Sequence, residues 1–250
     1  VTVYDGRETA PAGATPDMFL DADGKSLPFR TAVLSGRATG VPGAVAMLAM
    51  AQHDRGKLAW RDLFGSAERT AREGFTVTAR LERFVHGPYP QASAPDVVRY
   101  SGDGQGAKFR AGDPLAIPAY AAFVQRLAAE GADALYRGAT AARIVARLHE
   151  GALPGSMTAA DLAGYRPVVR QALCNGYRVY LLCAPPPPSS GVGLLQLMAM
   201  IEHSDIAARG PDDPVAWVEY AEASRLMYAD RDAYVGDVPM LDMFEQPITD

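Results

Sequence analysis

The sequence predicts a helix-rich α+β fold with few strands. Several segments carry apolar residues at helical spacing, whereas strand-like alternation is confined to the N-terminus and to one hairpin. No repeat of fixed period and no linker-like change of composition divides residues 1–250. We therefore expect a single domain over 1–250, or one piece of a larger domain.

The composition is that of a globular protein, and it argues against two kinds of partner. A chain of 250 residues with 48% hydrophobic and 21% charged residues can bury a full core. The net charge of −5, without clustered Lys and Arg, argues against a nucleic-acid surface. Because no run of eighteen apolar residues occurs, no membrane span is predicted.

The first half of the chain alternates between regular and irregular segments. Residues 1–5 alternate like the end of a strand, and a Gly-, Pro- and Thr-rich stretch follows. Helices are predicted over 44–53, which is rich in Ala, Met, Leu and Val, and over 62–73. Residues 85–113 are rich in Gly, Pro and polar side chains, so we expect a long surface excursion there.

The second half carries clearer helix signals. Thr158 followed by Asp161 has the spacing of a helix N-cap with an acid three residues later. Four consecutive prolines, Pro185–Pro188, exclude a helix or a central strand and impose an extended segment. Further helices are predicted over 119–130, with Pro118 in the first turn and Gly131 at the end, and over 139–149, 192–201 and 214–234.

The cysteines Cys174 and Cys183 are assessed by hairpin geometry. Asn175-Gly176 lies between apolar stretches and predicts a two-residue turn that pairs Cys174 with Tyr177. Cys183 would then lie about six residues, or roughly 20 Å, further along the ladder. A disulfide needs Cα atoms within about 7 Å, so we expect two inert core thiols and no bridge. Two isolated thiols also make a poor metal site.

Standard catalytic constellations are missing from the sequence. The four histidines are scattered without metal-binding spacing, so no metal site is predicted. No nucleophile elbow and no phosphate-binding fingerprint is present. The glycines at 102, 104 and 106 fit a turn better than a phosphate cradle. The acids Asp230, Asp232 and Asp237 could serve acid–base chemistry, but a solvated helix end with local Asp–Arg pairing is favoured.

Arg7 is the candidate binding residue. It follows the N-terminal strand and precedes Pro11, which stiffens the chain. A guanidinium in such a place could hold a carboxylate in a bidentate fork. From the residues alone, an ordinary surface arginine or one paired with Glu8 is favoured.

A series of motifs resembles the γ-glutamyltranspeptidase family, in the same order along the chain. Residues 5–11 (DGRETAP), followed by Asp17-Met18-Phe19, resemble the family pattern R-E-T/M-A-P and then D-M-F. The further matches are Gly40–Gly43 (G-x-P-G), Tyr136–Gly138 (F-Y-x-G), Thr158–Tyr165 (T-x-x-D-L-A-x-Y), Pro186–Gly191 (PPPSSGG) and Ala221–Asp237 (A-E-A, then A-D-R-x-x-Y-x-G-D). Val192 stands where the family has the second glycine of PPPSSGG.

The resemblance implies a fold and a division of labour. The family fold is the four-layer αββα architecture of N-terminal-nucleophile hydrolases, in which a small subunit from the same precursor completes the large one. This chain would be a large-subunit portion without the family's N-terminal region. The nucleophile is the threonine that opens the small subunit, so no catalytic residue is expected in this chain. Ser189 and Ser190 are then turn residues.

The resemblance also implies a function. The family transfers the γ-glutamyl group of glutathione-like amides to water or to an amino acid, without a cofactor or metal. Arg7 would bind the α-carboxylate of the substrate. The expected compartment is periplasmic or secreted. Alternatives left open are a related cephalosporin or glutaryl acylase, a non-catalytic homologue that binds γ-glutamyl compounds and, more distantly, a stand-alone α/β binding protein.

Overall fold

The computed structural model describes residues 1–102 and 106–236. In these residues helices dominate, and short strands pair as two-stranded antiparallel ribbons. The helix-rich α+β prediction is therefore confirmed. Within the same ranges, no helix combines the length and apolar character needed to cross a membrane.

The elements follow in chain order. The strands are β1 (Thr2–Asp5), β2 (Phe75–Thr76), β3 (Pro114–Leu115), β4 (Val168–Gln171), β5 (Leu173–Tyr177) and β6 (Tyr180–Ala184). The helices are α1 (Phe29–Val33), α2 (Ala44–Arg55), α3 (Gly65–Glu73), α4 (Ala79–His86), α5 (Pro95–Tyr100), α6 (Pro118–Glu130), α7 (Asp133–Tyr136), α8 (Gly138–Leu148), α9 (Ala159–Gly164), α10 (Gly191–Glu202), α11 (Ile206–Arg209) and α12 (Pro214–Tyr234). Short 3-10 turns lie at Gly36–Ala38, Trp60–Leu63 and Pro90–Ser93.

The chain separates into two compact units, each described by itself. The Arg7 unit is Gly6–Pro167, and the hairpin unit combines Val1–Asp5 with the chain from Val168 onward. In the Arg7 unit, residues from α7, α8 and α9, from the segments before α2 and α9, and from the end of α9 form one buried cluster: Val41, Tyr136, Ala141, Met157, Leu162 and Tyr165. Burial of the larger apolar side chains, such as Leu162 and Met157, stabilises the fold by about 1.5–3 kcal/mol each, so this cluster fixes how α9 packs.

Most predicted helices are present, with shifted ends. The predicted 62–73 helix is broken at Phe64, where the Trp60 and Phe64 rings pack edge to face with centroids 4.9 Å apart. The predicted surface excursion over 85–113 contains the end of α4, a 3-10 turn and α5. Gly102 pairs with Lys108 in an isolated bridge, and Gly104 lies outside the described residues.

The hairpin unit is built from two ribbons and two long helices. β1 pairs with β4 so that Thr2 faces Gln171, and the ribbon is braced by an ion pair of 2.7 Å between Asp5 and Arg170. α10 and α12 pack through a buried cluster of Leu197, Ile201 and Met227.

The hairpin turns three residues later than predicted, and this overturns the expectation for the cysteines. β5 and β6 pair Tyr177 with Tyr180, which places Cys174 opposite Cys183 at a Cα–Cα distance of 4.1 Å. The two form a disulfide, so neither thiol is free. The tertiary setting outweighs the local Asn-Gly signal: Tyr177 packs on the α10–α12 cluster, and the Arg178 amide donates to Glu202 Oε1 at 2.7 Å.

Candidate functional site

Arg7 is exposed on the loop that follows β1. We call Gly6–Ala12 the Arg7 loop. The hydroxyl of Tyr165 donates to the carbonyl oxygen of Arg7 at 2.8 Å. Thr9 and Val41 exchange backbone hydrogen bonds of 2.8 and 3.3 Å, and the Ala12 amide donates to Asp161 Oδ1 at 2.9 Å. The loop is thus held at three points along its length.

Gly43 allows the closest of these approaches. A Cβ atom at this position would lie 2.0 Å from the Tyr165 hydroxyl oxygen and 2.4 Å from the carbonyl oxygen of Gly6. Neither atom can retreat easily, because one ends a buried side chain and the other is backbone. The glycine that ends Gly40–Gly43 is therefore required by the packing of Tyr165 against the Arg7 loop.

The ring of Tyr165 is held in place by stacking on Tyr136. The two rings stack with centroids 6.0 Å apart and an interplanar angle of 10°. The Tyr136 hydroxyl accepts from the Ala46 amide at 3.1 Å, which satisfies one open donor in the first turn of α2. Burial raises the pKa of Tyr136 above its ordinary value, so the hydroxyl stays neutral.

Asp161 joins the start of α9 to the Arg7 loop. Its Oδ2 accepts from the amide and the hydroxyl of Thr158, both at 2.7 Å, and the Thr158 hydroxyl accepts from the Asp161 amide to complete a capping box. Its Oδ1 remains for Ala12. The Ala12 amide, followed by the Thr158 donors, lowers the pKa of this carboxyl, so it is ionised at neutral pH.

Motifs that are distant in sequence therefore meet behind Arg7. The structure brings together the R-E-T-A-P segment with Gly43, Tyr136, Asp161 and Tyr165, from three further motifs. The main chain that carries the exposed Arg7 is thus held at the carbonyl of Arg7 and again at Ala12, so little main-chain freedom would be lost if its side chain bound a ligand. The sequence predicted a binding role for Arg7 alone. The other residues lie in motifs that resemble the family, and this was the feature that could have pointed to them.

The proline–serine motif lies in the hairpin unit, between β6 and α10. Ser189 donates its amide to the carbonyl of Pro186 at 3.3 Å, and Ser190 Oγ accepts from Arg231 Nε at 3.2 Å. A Cβ on Gly191 would lie 2.3 Å from the carbonyl oxygen of Pro185, so the close packing of this turn falls at residue 191. Val192 is the second residue of α10, one position beyond this close contact.

Two acids near the end of α12 have partners of different kinds, one a neighbouring arginine and the other a glutamine of α10. Asp232 forms an ion pair of 2.8 Å with Arg231, and Asp230 accepts a hydrogen bond from the Gln196 amide. Asp237 lies outside the described residues. Within the described ranges, no group of three His, Cys, Asp or Glu side chains could hold a metal ion.

Comparison with known sequences identifies relatives along nearly the whole chain. The family model described as gamma-glutamyltranspeptidase matches residues 1–246. A glutathione hydrolase proenzyme of Bacillus subtilis is 34% identical over 243 residues, covering 94% of this chain and 40% of the relative. The Escherichia coli glutathione hydrolase proenzyme is 31% identical over 253 residues, covering 99% and 43%. The chain thus spans about two fifths of the length of these relatives.

Solved structures agree with the sequence relatives. The γ-glutamyltranspeptidase of Helicobacter pylori superposes with a TM-score of 0.87 at 28% identity, covering 98% of this chain and 69% of that one. A cephalosporin acylase from Bacillus halodurans, at 22% identity and a TM-score of 0.77 over 96% of this chain and 46% of that one, shows a shared fold only. The expected fold is confirmed by these neighbours, and with the family model matched over residues 1–246, the chain belongs to the γ-glutamyltranspeptidase family.

Proposed function

We propose that this chain is the large-subunit portion of an enzyme that transfers γ-glutamyl groups from glutathione-like donors to water or to an amino acid. Relatives named glutathione hydrolase proenzyme support the reaction. The word proenzyme, and the fact that the chain covers only 40–43% of those relatives, support a second subunit from the same precursor. The observation that carries the proposal is the exposed Arg7 on its firmly held loop.

Arg7 binds the α-carboxylate of the γ-glutamyl group in this proposal. A planar guanidinium matches a carboxylate with two parallel N–H···O bonds, which fixes orientation as well as distance. The γ-carbonyl carbon is then presented to the threonine that opens the small subunit. Its hydroxyl forms an ester to that carbon as the amine leaves with a proton, and water or an amino acid then takes the acyl group.

The compartment proposed is the periplasm or the cell exterior. The Cys174–Cys183 disulfide supports this placement, because such bonds persist mainly where the surroundings are oxidising.

A related acylase is the second candidate, favoured by one observation. An acylase ACY 1 proenzyme of a Pseudomonas species is 32% identical over 246 residues, covering 94% of this chain and 43% of the relative. Side chains that bear a carboxylate suit Arg7 in either enzyme. Rates on matched γ-glutamyl and glutaryl anilides separate the two, since only the first substrate carries an α-amino group.

The first test is processing of the full-length gene product. Intact-mass and N-terminal analysis should show a second polypeptide that begins with threonine. An unprocessed precursor, or a partner that begins with another residue, would favour the non-catalytic homologue.

The second test is Arg7→Ala in the full-length, processed enzyme. The KM for a γ-glutamyl anilide should rise by about 100-fold or more, because two charge-assisted hydrogen bonds are lost. For an analogue without the α-carboxylate, the KM of Arg7→Ala should differ little from that of the wild type. Arg69→Ala, an exposed arginine of α3, is the matched control and should leave KM unchanged. An unchanged KM in Arg7→Ala would contradict the proposed role.

A further inference from the structure

We propose that Tyr165 and Asp161 are positioning residues for Arg7, and that they set KM for γ-glutamyl substrates through the backbone of the Arg7 loop. This inference rests on the proposed carboxylate-binding role of Arg7. Neither residue is expected to touch substrate, since both bond to backbone atoms of the loop.

The two residues act from one short element. Asp161 lies in α9, and Tyr165 follows its last residue, four positions further along the chain. Residues at this spacing lie on the same side of a helix. Their bonds reach the Arg7 loop at the carbonyl of Arg7 and the amide of Ala12. The placement of α9 therefore determines the course of the loop on both sides of Glu8–Pro11.

Tyr165 can serve as a reference point because its own position is fixed. The residue is only 9% exposed, its ring stacks on Tyr136, and Gly43 leaves no spare space beside the hydroxyl. Its bond ends on the main-chain carbonyl of Arg7, so it fixes the point from which the guanidinium extends. It does so whatever the rotamer of the arginine.

Asp161 adds a second constraint through the same carboxylate that caps α9. One oxygen holds Thr158 and the other holds Ala12, so the helix start and the loop cannot move independently. The backbone pair of Thr9 and Val41 lies between the two anchors and uses no side chain. Removal of one anchor should therefore loosen the loop without unfolding it.

The test uses the full-length, processed enzyme with conservative variants. Tyr165→Phe keeps the ring and its stack on Tyr136 but deletes the hydroxyl; KM should rise about tenfold, with kcat within twofold of the wild type. Asp161→Asn should raise KM by a smaller factor. Tyr177→Phe, a half-buried tyrosine of the hairpin unit, is the control for loss of a tyrosine hydroxyl and should leave KM unchanged.

A double-mutant cycle distinguishes positioning from general destabilisation. In an Arg7→Ala background, Tyr165→Phe should raise KM no further, because the residue acts through Arg7. Tyr165→Phe should also narrow the preference for a substrate with the α-carboxylate over one without it. An equal KM rise in both backgrounds, or an unchanged KM in Tyr165→Phe while Arg7→Ala raises it, would overturn the positioning role alone. An unchanged KM in Arg7→Ala itself would instead remove the proposed function, and the positioning role with it.

Discussion

The Arg7 unit and the hairpin unit hold their motifs in different ways. The Arg7 loop is held by side chains that lie far along the chain, with a sequence separation of 158 between Arg7 and Tyr165 and of 149 between Ala12 and Asp161. The hairpin is held by a disulfide between cysteines only nine residues apart. Hydrogen bonds from distant side chains thus hold the Arg7 loop, whereas a local covalent bond links the two strands of the hairpin.

The difference matches how much each region buries. Leu162 and Met157, behind the Arg7 loop, are 0% and 1% exposed, whereas Val179 and Leu181 in the hairpin are 88% and 70% exposed. A two-stranded hairpin with so little buried surface is marginal by itself. We infer that the buried cluster supports the position of the Arg7 loop, and that in the hairpin the disulfide adds to the limited packing of Tyr177 on α10 and α12.

The largest effect is expected from Gly43→Ala, which disturbs the packing of Tyr165 against the Arg7 loop. The new methyl group would overlap Tyr165 and the Gly6 carbonyl, so the free energy of unfolding should fall by about 3 kcal/mol or more. Urea unfolding followed by circular dichroism measures this loss. Gly164→Ala, beside Tyr165 but with open space around its Cβ, is the matched control. Equal stability of the two variants would show that the contact is not tight.

The next effect is expected from removal of the disulfide. Replacement of both cysteines by alanine should destabilise the hairpin by about 2–3 kcal/mol, the value that closure of so short a loop gives by chain entropy. Limited proteolysis at the hairpin should become faster, while KM should stay near the wild-type value. Thiol titration of the denatured, unreduced wild type should find no reactive thiol from this chain; two would contradict the pairing.

The smallest effect is a pH dependence at Asp161. The pKa of this carboxyl is lowered, first by the Ala12 amide and then by Thr158, from an ordinary value of 3.8. A lowered carboxyl pKa stabilises the folded state fully above the unfolded pKa, and this contribution is lost as pH falls through the folded pKa. The stability difference between wild type and Asp161→Asn should therefore shrink as pH falls below about 4. A difference that does not vary with pH would contradict this role.

Local signals predicted much of the secondary structure. Pro118 and Gly131 bound α6 as expected, and the Thr158–Asp161 spacing gave a complete capping box. These predictions succeed because caps and helix ends depend on neighbouring residues. The prediction of the hairpin turn was wrong because Asn175-Gly176 expresses only a local preference for a tight turn. The strand register depends instead on how Tyr177 packs against α10 and α12.

The candidate site was only partly predictable. Arg7 was identified from a resemblance, and its role in binding stays a prediction. The anchors at Tyr165 and Asp161 could not be inferred from spacing, because no periodicity links residues about 150 positions apart. The Thr158–Asp161 spacing predicted the helix cap, but it did not predict that the second carboxylate oxygen of Asp161 accepts from the Ala12 amide.

The long separation between Arg7 and Tyr165 also sets an order of events during synthesis. The hydroxyl that holds the carbonyl of Arg7 is made 158 residues after Arg7 itself. At about 5–20 residues per second, a ribosome needs roughly 8–30 s to cover that interval. Until α9 and Tyr165 are made, the Arg7 loop lacks two of its three anchors, and only the backbone pair of Thr9 and Val41 can hold it.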